Sequence, residues 1–370
     1  MTQTQTVALI IFTVMLIPSA WTGFSDLMAR SDLERQVSSL VNVATGAGAD
    51  GDTESAVVAL RSARRLQPAN LDVERALLLA ECRLSAEKPA SLTRSGALSL
   101  SVRIKAFGLT AKGSAEVAVA QGQIAVFRGR PEDALSLFEA AAEAHPAASE
   151  VLFGLAKARL LNDKAQSAIK ALRAAVKLDP RSFRYRQALG RALSNLEKWG
   201  GAVEAFTQAG EISDTPMNRL QLGEALLKIG NHQAAIRALE SAKQRLNEPA
   251  ELARARAALG FAYHKAGKNA ESAVELEGSV RIRPDSSVFF NLGMVRHALG
   301  QHRLAMIAFQ SGLSRRPGNT GAYVELMRSL IALGQKTQAR AVRTRLAQLV
   351  KTNPKGQGDL QRADRLLGVP

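Results

Sequence analysis

A few short stretches of this chain carry residue types that could do chemistry. Residues 46–51 (GAGADG) match the letters G-x-G-x-x-G, which in a strand–loop–helix unit would cradle the phosphates of a dinucleotide. Asp50, Asp52 and Glu54 alternate as calcium-binding carboxylates do, but the full calcium loop is missing. The sequence that follows is repeat-like and helical rather than strand-forming. We therefore interpret residues 46–51 as a loop and expect the carboxylates to flank and cap a helix entered at Thr53.

The other candidates for catalysis or metal binding are equally weak. The five histidines form no H-E-x-x-H motif and no cluster with cysteine, and the single cysteine, Cys82, cannot form an intrachain disulfide. No G-x-S-x-G motif marks a nucleophile. The sequence therefore predicts no enzyme, no metal and no cofactor.

A strict repeat organises most of the chain. Small residues recur at steps of 34, 34, 33, 37, 33 and 34 positions, and the residue four positions after each is large and apolar in all but the last case. A period of this length indicates one supersecondary unit used many times. The small residues are Ala134, Ala168, Ala202, Ala235, Ser272, Ala305 and Ala339.

Residues 286–319 show how one repeat is predicted to fold. Gly293 lies on a first helix, which Gly300 ends. Phe309 lies on a second helix, which must stop before Pro317. Because glycine has no side chain, the two helices can approach closely there and the phenylalanine fills the gap between them.

This pattern resembles the tetratricopeptide repeat (TPR), which has small and large positions on its first helix, Ala and Phe on its second, and Pro near its end. Leu-Gly recurs on the first helices at residues 189–190, 222–223 and 259–260. The resemblance covers seven consecutive repeats in residues 115–353, and it implies an all-α superhelical solenoid of antiparallel helix pairs. The closing prolines are Pro146, Pro180, Pro284 and Pro317.

The segments around these seven repeats are less regular. Residues 37–114 are predicted to form degenerate helical repeats, and residues 354–370 a basic tail or capping helix, because terminal repeats lack a neighbour on one face. The single step of 37 predicts about three extra residues near residues 247–249, between the fourth and fifth of the seven repeats.

The uncharged, apolar sequence at the N-terminus predicts a membrane anchor. Residues 1–25 carry no charged side chain, and residues 7–24 are mainly apolar, which in a helix gives roughly 27 Å, enough for a thin bilayer. No Lys or Arg precedes the apolar run, and residues 17–20 (IPSA) fit a signal-cleavage site poorly. We interpret residues 1–25 as one transmembrane helix and residues 26–36 as a linker. A cleaved signal peptide and a buried helix stay open as alternatives.

The charges beside the apolar run bear on orientation. Arg30 and Arg35 follow it and no cation precedes it, so the positive-inside rule favours repeats on the cytoplasmic side of the membrane. The expected location is a single-pass protein of a bacterial inner membrane, and a periplasmic repeat domain stays open.

The resemblance also implies which residues face a binding groove, because the first helices line the concave surface of TPR proteins. Arg184, Gln187 and Arg191 lie at steps of three and four on one helical face and could hold a carboxylate. We therefore predict an acidic or C-terminal peptide as partner, with an unoccupied inner surface as the alternative. The implied groove residues are Lys157, Arg184, Gln187, Arg191, His264, Lys265, Phe290, Met294 and His297.

The positive charge is concentrated near the C-terminus. The net charge is +16, and the last 56 residues carry 11 Lys and Arg against 3 Asp and Glu. Arg340, Arg343 and Arg345 are predicted to form a basic patch for anionic lipid or an acidic partner, with a solvated capping helix as the alternative. Aromatic residues are not interleaved with these cations, so no nucleic acid is expected.

These features predict a membrane-anchored TPR scaffold or adaptor that mediates protein–protein interactions. The expected setting is the assembly of an envelope, secretion, pilus or polysaccharide machinery. Two other functions stay open: an exported, soluble, chaperone-like protein that binds peptides, and the regulatory subunit of an enzyme complex.

Overall fold

The computed structural model describes residues 18–49, 52–87, 93–106 and 113–368. In these ranges the chain forms nineteen α-helices, α1 to α19 in chain order, and one 3-10 turn at Pro354–Gly356. The all-α prediction is therefore confirmed. The described residues fall into two compact bodies that divide between Asp179 and Pro180, called here the N-terminal and C-terminal halves.

In each half, a helix packs against the next one along the chain across a short connection. The N-terminal half holds α1 Pro18–Ala49, α2 Thr53–Leu66, α3 Leu71–Glu87, α4 Arg94–Ala106, α5 Ala115–Phe127, α6 Pro131–Ala144, α7 Ser149–Leu161 and α8 Ala165–Leu178. The C-terminal half holds α9 Phe183–Asn195, α10 Trp199–Ile212, α11 Pro216–Lys228, α12 His232–Arg245, α13 Pro249–Lys265, α14 Asn269–Ile282, α15 Ser286–Ala298, α16 His302–Arg315, α17 Thr320–Ala332, α18 Lys336–Thr352 and α19 Gln357–Leu367.

Residues 115–353, where the sequence predicts seven repeats, hold seven helix pairs, from α5–α6 to α17–α18. In five of these pairs, a Phe or Leu side chain of the second helix fills the space over a glycine of the first. A Cβ atom built on Gly190 would lie 2.6 Å from the Phe206 ring, and one on Gly293 would lie 2.6 Å from the Phe309 ring. The close approach of the two helices therefore depends on glycine at these positions.

The turn inside each pair needs a left-handed residue after the first helix. Gly300 takes this conformation with φ of +72°, as its place at the end of α15 predicts. In two other repeats the same place is filled by Asp163 at +57° and Glu197 at +55°. A residue with a Cβ atom is strained there by roughly 1–2 kcal/mol.

Glu197→Gly is expected to raise the free energy of unfolding by about 0.5–1 kcal/mol, because the relief of strain exceeds the entropy that glycine loses on folding. The matched control is the reverse change, Gly300→Glu, which should lower it. Urea denaturation followed by circular dichroism measures both. A shift of the two variants in the same direction would contradict this account of the turn.

The extra residues of the long repeat lengthen the start of a helix, which begins at Pro249 within the predicted residues 247–249. Residues 246–248 join α12 to α13, and this connection is as short as residues 213–215 between α10 and α11. Helix α13 instead has 17 residues, where α11 and α15 have 13. The difference of four residues is about one helical turn, so the apolar face stays in register.

The N-terminal region also differs from expectation. Residues 26–36, interpreted as a linker, belong to α1, which runs for 32 residues because no Gly or Pro interrupts residues 24–45. Residues 46–49 of the glycine-rich stretch end this helix, and residues 50–51 lie outside the described residues. Asp52 accepts a hydrogen bond from the Ser55 amide at 3.1 Å, which confirms that it caps α2.

Most of the predicted transmembrane segment cannot be compared with the structure, since residues 1–17 lie outside the described residues. None of the helices that the structure describes combines the length and the hydrophobicity that a bilayer span requires.

Candidate functional site

A groove of about 660 Å³ crosses the first helices of three successive repeats in the C-terminal half. Helices α9, α11 and α13 each contribute residues three, four or seven positions apart, so one face of each helix lines the groove. Trp199 and Phe206 of α10 and His232 of α12 complete the lining. The residues that decide its chemistry are Arg191, Trp199, Glu224, Lys228, Arg254, Phe261 and Lys265.

Two lysines of the groove lie against aromatic rings. The Lys228 ammonium is 5.5 Å from the centre of the Trp199 ring, and the Lys265 ammonium is 5.3 Å from the centre of the Phe261 ring. Such cation–π contacts hold an ammonium group in place without neutralising its charge. Both lysines remain exposed, so their charges are available to a ligand.

The one carboxylate in the lining, Glu224, is already engaged. Arg254 donates to it through Nε at 2.6 Å and through Nη2 to the second oxygen, which is the two-point geometry of a strong Arg–carboxylate pair. Arg191, Lys228 and Lys265 have no counter-ion anywhere in the part of the chain that the structure describes. The groove therefore offers about three positive charges to an anionic ligand.

Two polar atoms in the walls also lack a hydrogen-bond partner. Gln221 Oε1 and His232 Nδ1 are shielded from solvent, and neither finds a partner within the described ranges. An unsatisfied buried polar atom costs about 1–3 kcal/mol. The walls thus hold polar groups that no described residue satisfies by a hydrogen bond.

The structure separates the three residues predicted to act together on α9. Arg191 lines the groove, whereas Gln187 and Arg184 lie one and two turns earlier, half-buried and outside the lining. Lys265 also lines the groove. Its neighbour His264 is outside the lining and its Nδ1 is 2.8 Å from Asn269 Oδ1.

The remaining predicted groove residues lie elsewhere. Lys157 belongs to the N-terminal half, where its ammonium is 5.6 Å from the Phe153 ring. Phe290 is 9% exposed and packs over Gly312 in the hydrophobic core, so it is a core residue and not a groove residue. Phe290 lies on a first helix, as groove residues do, but its ring packs into the space over Gly312 on α16 and is therefore buried. Met294 is 37% exposed on the surface of α15.

His297 is held in a small polar cluster that the sequence did not predict. Its Nδ1 is 3.3 Å from His302 Nδ1 at the start of α16 and 3.1 Å from the Ser329 hydroxyl on α17. Burial lowers the pKa of His297 most, the charge of His302 lowers it further, and Glu325 opposes them.

This depressed pKa predicts acid sensitivity. As the pH falls below about 6.5, the unfolded state takes up the proton before the folded state does. Stability from neutral His297 is therefore full above that pH and is lost below it. We expect His297→Gln to unfold with less pH dependence than the wild type in urea melts. An NMR titration should show the pKa of His297 rising in His302→Gln; an unchanged value would contradict the assigned cause.

The predicted basic patch on α18 is not one surface. Arg343 Nε donates to Asp364 of α19 at 2.7 Å, and this bond raises the pKa of Arg343 and fixes the capping helix. Arg340 and Arg345 are both exposed, but five residues along a helix place them about 140° apart. The prediction of a joint patch of these three residues is therefore wrong.

No cluster of three or more His, Cys, Asp or Glu side chains suited to a metal ion occurs among the residues that the structure describes. Lys228, Trp199 and Arg254 line the groove but were not among the residues predicted from the sequence. Lys228 could have been found, since it precedes Lys265 by the same 37 positions that separate Ala235 from Ser272.

Comparison with known proteins agrees with this architecture. Residues 119–183, which lie within α5 to α9, match a family model described as tetratricopeptide repeat. No curated protein sequence matches the chain.

Solved structures show the same fold. The chain is similar to the crystal structure of the APC/C hetero-tetramer Cut9-Hcn1, with 18% identity over 79% of this chain and a TM-score of 0.54, and it spans only 55% of that chain. It is also similar to PilW, described as a widely conserved type IV pilus biogenesis factor. The identity is 19%, the match covers 58% of this chain and 96% of PilW, and the TM-score is 0.50. A third similar structure is that of YrrB, described as a TPR protein. The identity is 18%, the match covers 50% of this chain and 95% of YrrB, and the TM-score is 0.44. Residues 119–183 therefore carry a match to the tetratricopeptide repeat, and the likeness to Cut9-Hcn1 and PilW shows the same helical fold.

Proposed function

We propose that this protein is a membrane-anchored scaffold or adaptor that binds an acidic segment of a partner protein in the groove across α9, α11 and α13. The observation that carries the proposal is the set of three cations without counter-ions in that groove, two of them on aromatic rings. Its role is binding rather than catalysis.

The groove chemistry favours a peptide over a small anion. The charges of Arg191, Lys228 and Lys265 belong to three successive repeats, so several carboxylates along an extended chain would meet them in turn. The half-buried Trp199 and Phe261 rings supply apolar contact between these charges. Aromatic and Arg side chains of this kind dominate the energy of protein interfaces.

The setting of the scaffold is part of the same proposal. Residues 1–25 anchor it in a bacterial inner membrane, and its partner belongs to an envelope, secretion, pilus or polysaccharide machinery. PilW, a structural relative by fold alone, is described as a pilus biogenesis factor, which makes pilus assembly one candidate. An exported peptide-binding protein and an enzyme's regulatory subunit are the alternatives. The intact mass of the purified chain distinguishes a retained anchor from a cleaved signal.

Charge reversal in the groove tests the binding role. The probe is a dye-labelled peptide with several Glu residues around one Phe, measured by fluorescence anisotropy against the full-length chain in detergent. Arg191→Glu/Lys265→Glu should weaken binding at least about tenfold, because each desolvated cation contributes roughly 2 kcal/mol.

The matched control is Arg340→Glu/Arg345→Glu, which makes the same change of charge on exposed residues of α18. It should bind like the wild type. Loss of binding in this control with full binding in the groove variant would refute the groove and make α18 the interaction surface. A Gln-substituted peptide should bind neither variant nor the wild type.

A further inference from the structure

The outer faces of two neighbouring second helices in the N-terminal half carry opposite charges. Helix α6 has four acidic residues and no Lys or Arg, whereas α8 has three basic residues and no Asp or Glu. Glu139 and Glu143 on α6 are exposed, as are Lys170, Arg173 and Lys177 on α8. The charge of this surface is therefore divided into an acidic and a basic stripe.

Both stripes are narrow and match in position. At 100° per residue, Lys170, Arg173 and Lys177 lie within about 60° of arc, and Glu139 and Glu143 within about 40°. Arg173 and Lys177 follow the two glutamates by 34 residues, which is one repeat. The two pairs thus occupy equivalent places on adjacent repeats, with the same spacing of four residues.

Among the residues that the structure describes, neither stripe is neutralised. Lys170, Arg173, Lys177 and Glu143 make no ion pair or hydrogen bond with any other residue in the described ranges. The Glu139 carboxylate makes a single long contact, 3.7 Å to Arg159 of α7. The charges therefore remain available to another molecule.

We propose that these stripes form a contact between two copies of the chain related by a twofold axis, with α6 of one copy against α8 of the other. A twofold axis brings the same pair of surfaces together twice, so each acidic stripe meets a basic one. When the axis runs along the helices, the facing helices run parallel, and Glu139 and Glu143 lie opposite Arg173 and Lys177 of the second copy. Four ion pairs result.

A second copy fits this surface better than a partner of a single charge. A purely acidic molecule would be attracted by α8 and repelled by the adjacent α6, and a purely basic one would meet the reverse. Exposed ion pairs are individually weak, so the association should be concentration-dependent and sensitive to salt. The contact lies in the N-terminal half and is independent of the groove and its ligand.

Two charge-reversed variants test the contact. Arg173→Glu/Lys177→Glu makes both stripes acidic, and Glu139→Lys/Glu143→Lys makes both basic; all four positions are exposed, so folding should be unaffected. Full-length chains with two different affinity tags are mixed in detergent, and co-capture is measured. Wild-type copies should capture one another at about 0.1 M salt and at least tenfold less at about 1 M.

Two differently tagged copies of the same variant should co-capture at least tenfold less than two wild-type copies. The acidic variant mixed with the basic variant should co-capture as strongly as two wild-type copies. Failure of wild-type copies to associate at low salt would overturn the proposal. Undiminished self-capture of either variant would also overturn it and would point to the apolar N-terminal segment as the contact. If the acidic and basic variants do not capture each other when mixed, the proposal also fails, and the stripes face a different charged partner. Circular dichroism spectra identical to the wild type confirm that the variants are folded.

Discussion

Replacing Phe206 by Ala is expected to lower the free energy of unfolding by about 3–5 kcal/mol. The Phe206 side chain is 1% exposed, and its ring on α10 lies directly over Gly190 of α9. Removing the ring leaves a cavity over Gly190, because the surrounding structure relaxes only partially when a buried side chain is truncated.

Urea denaturation followed by far-ultraviolet circular dichroism measures this loss. Phe261→Ala is the matched control, because that ring is only half-buried in the groove and its removal should cost much less. Since Phe206 also lines the groove, its truncation should weaken peptide binding as well. An unfolding midpoint unchanged by Phe206→Ala would show that the two helices are not paired through this residue.

The second large effect is expected at Glu275. This carboxylate is 8% exposed on α14, where Lys243 of α12 donates to it at 2.7 Å and Arg256 of α13 approaches its other oxygen at 3.6 Å. Glu275→Ala leaves two half-buried cations without their counter-ion. Breaking a buried pair costs about 3–5 kcal/mol, and since both cations keep some exposure we expect about 2–4 kcal/mol.

Thermal and urea unfolding of Glu275→Ala give this value, and Glu271→Ala on the exposed side of the same helix serves as the control. That change should alter stability by less than about 0.5 kcal/mol. Removing both Lys243 and Glu275 should be less harmful than removing Glu275 alone, because the lysine is no longer left unpaired. Additive losses in the double variant would argue against the ion pair as the cause.

The helix pairs were predictable because the repeat encodes their contact residue by residue. Gly293 and Phe309 recur with one spacing, and each pair specifies a close approach of two helices that only glycine permits. A step of 37 positions does not say which element takes the additional residues, so the longer α13 could not be read from it. The length of α1 could not be predicted from the repeat either, because it depends on the absence of helix-breaking residues from residues 24–45.

The site was less predictable than the fold because a position on a helix does not reveal what faces it. Arg191 and Lys265 line the groove across α9, α11 and α13, whereas Phe290 packs over Gly312 in the core. Arg343 was expected to be available to a ligand, but its partner Asp364 lies 21 residues further along, on a helix outside the repeats. Such contacts depend on tertiary packing, and the spacing of residues within one repeat does not predict them.

The additional turn of α13 indicates how this chain could be lengthened by design. Four inserted residues rotate the rest of a helix by only about 40°, so its apolar side still meets the neighbouring helices. Two inserted residues would rotate it by about 200° and expose that side to water. Sequences grafted in multiples of a turn at the beginning of α11 or α15 should therefore be accepted, giving the protein longer arms that could carry an epitope or a ligand.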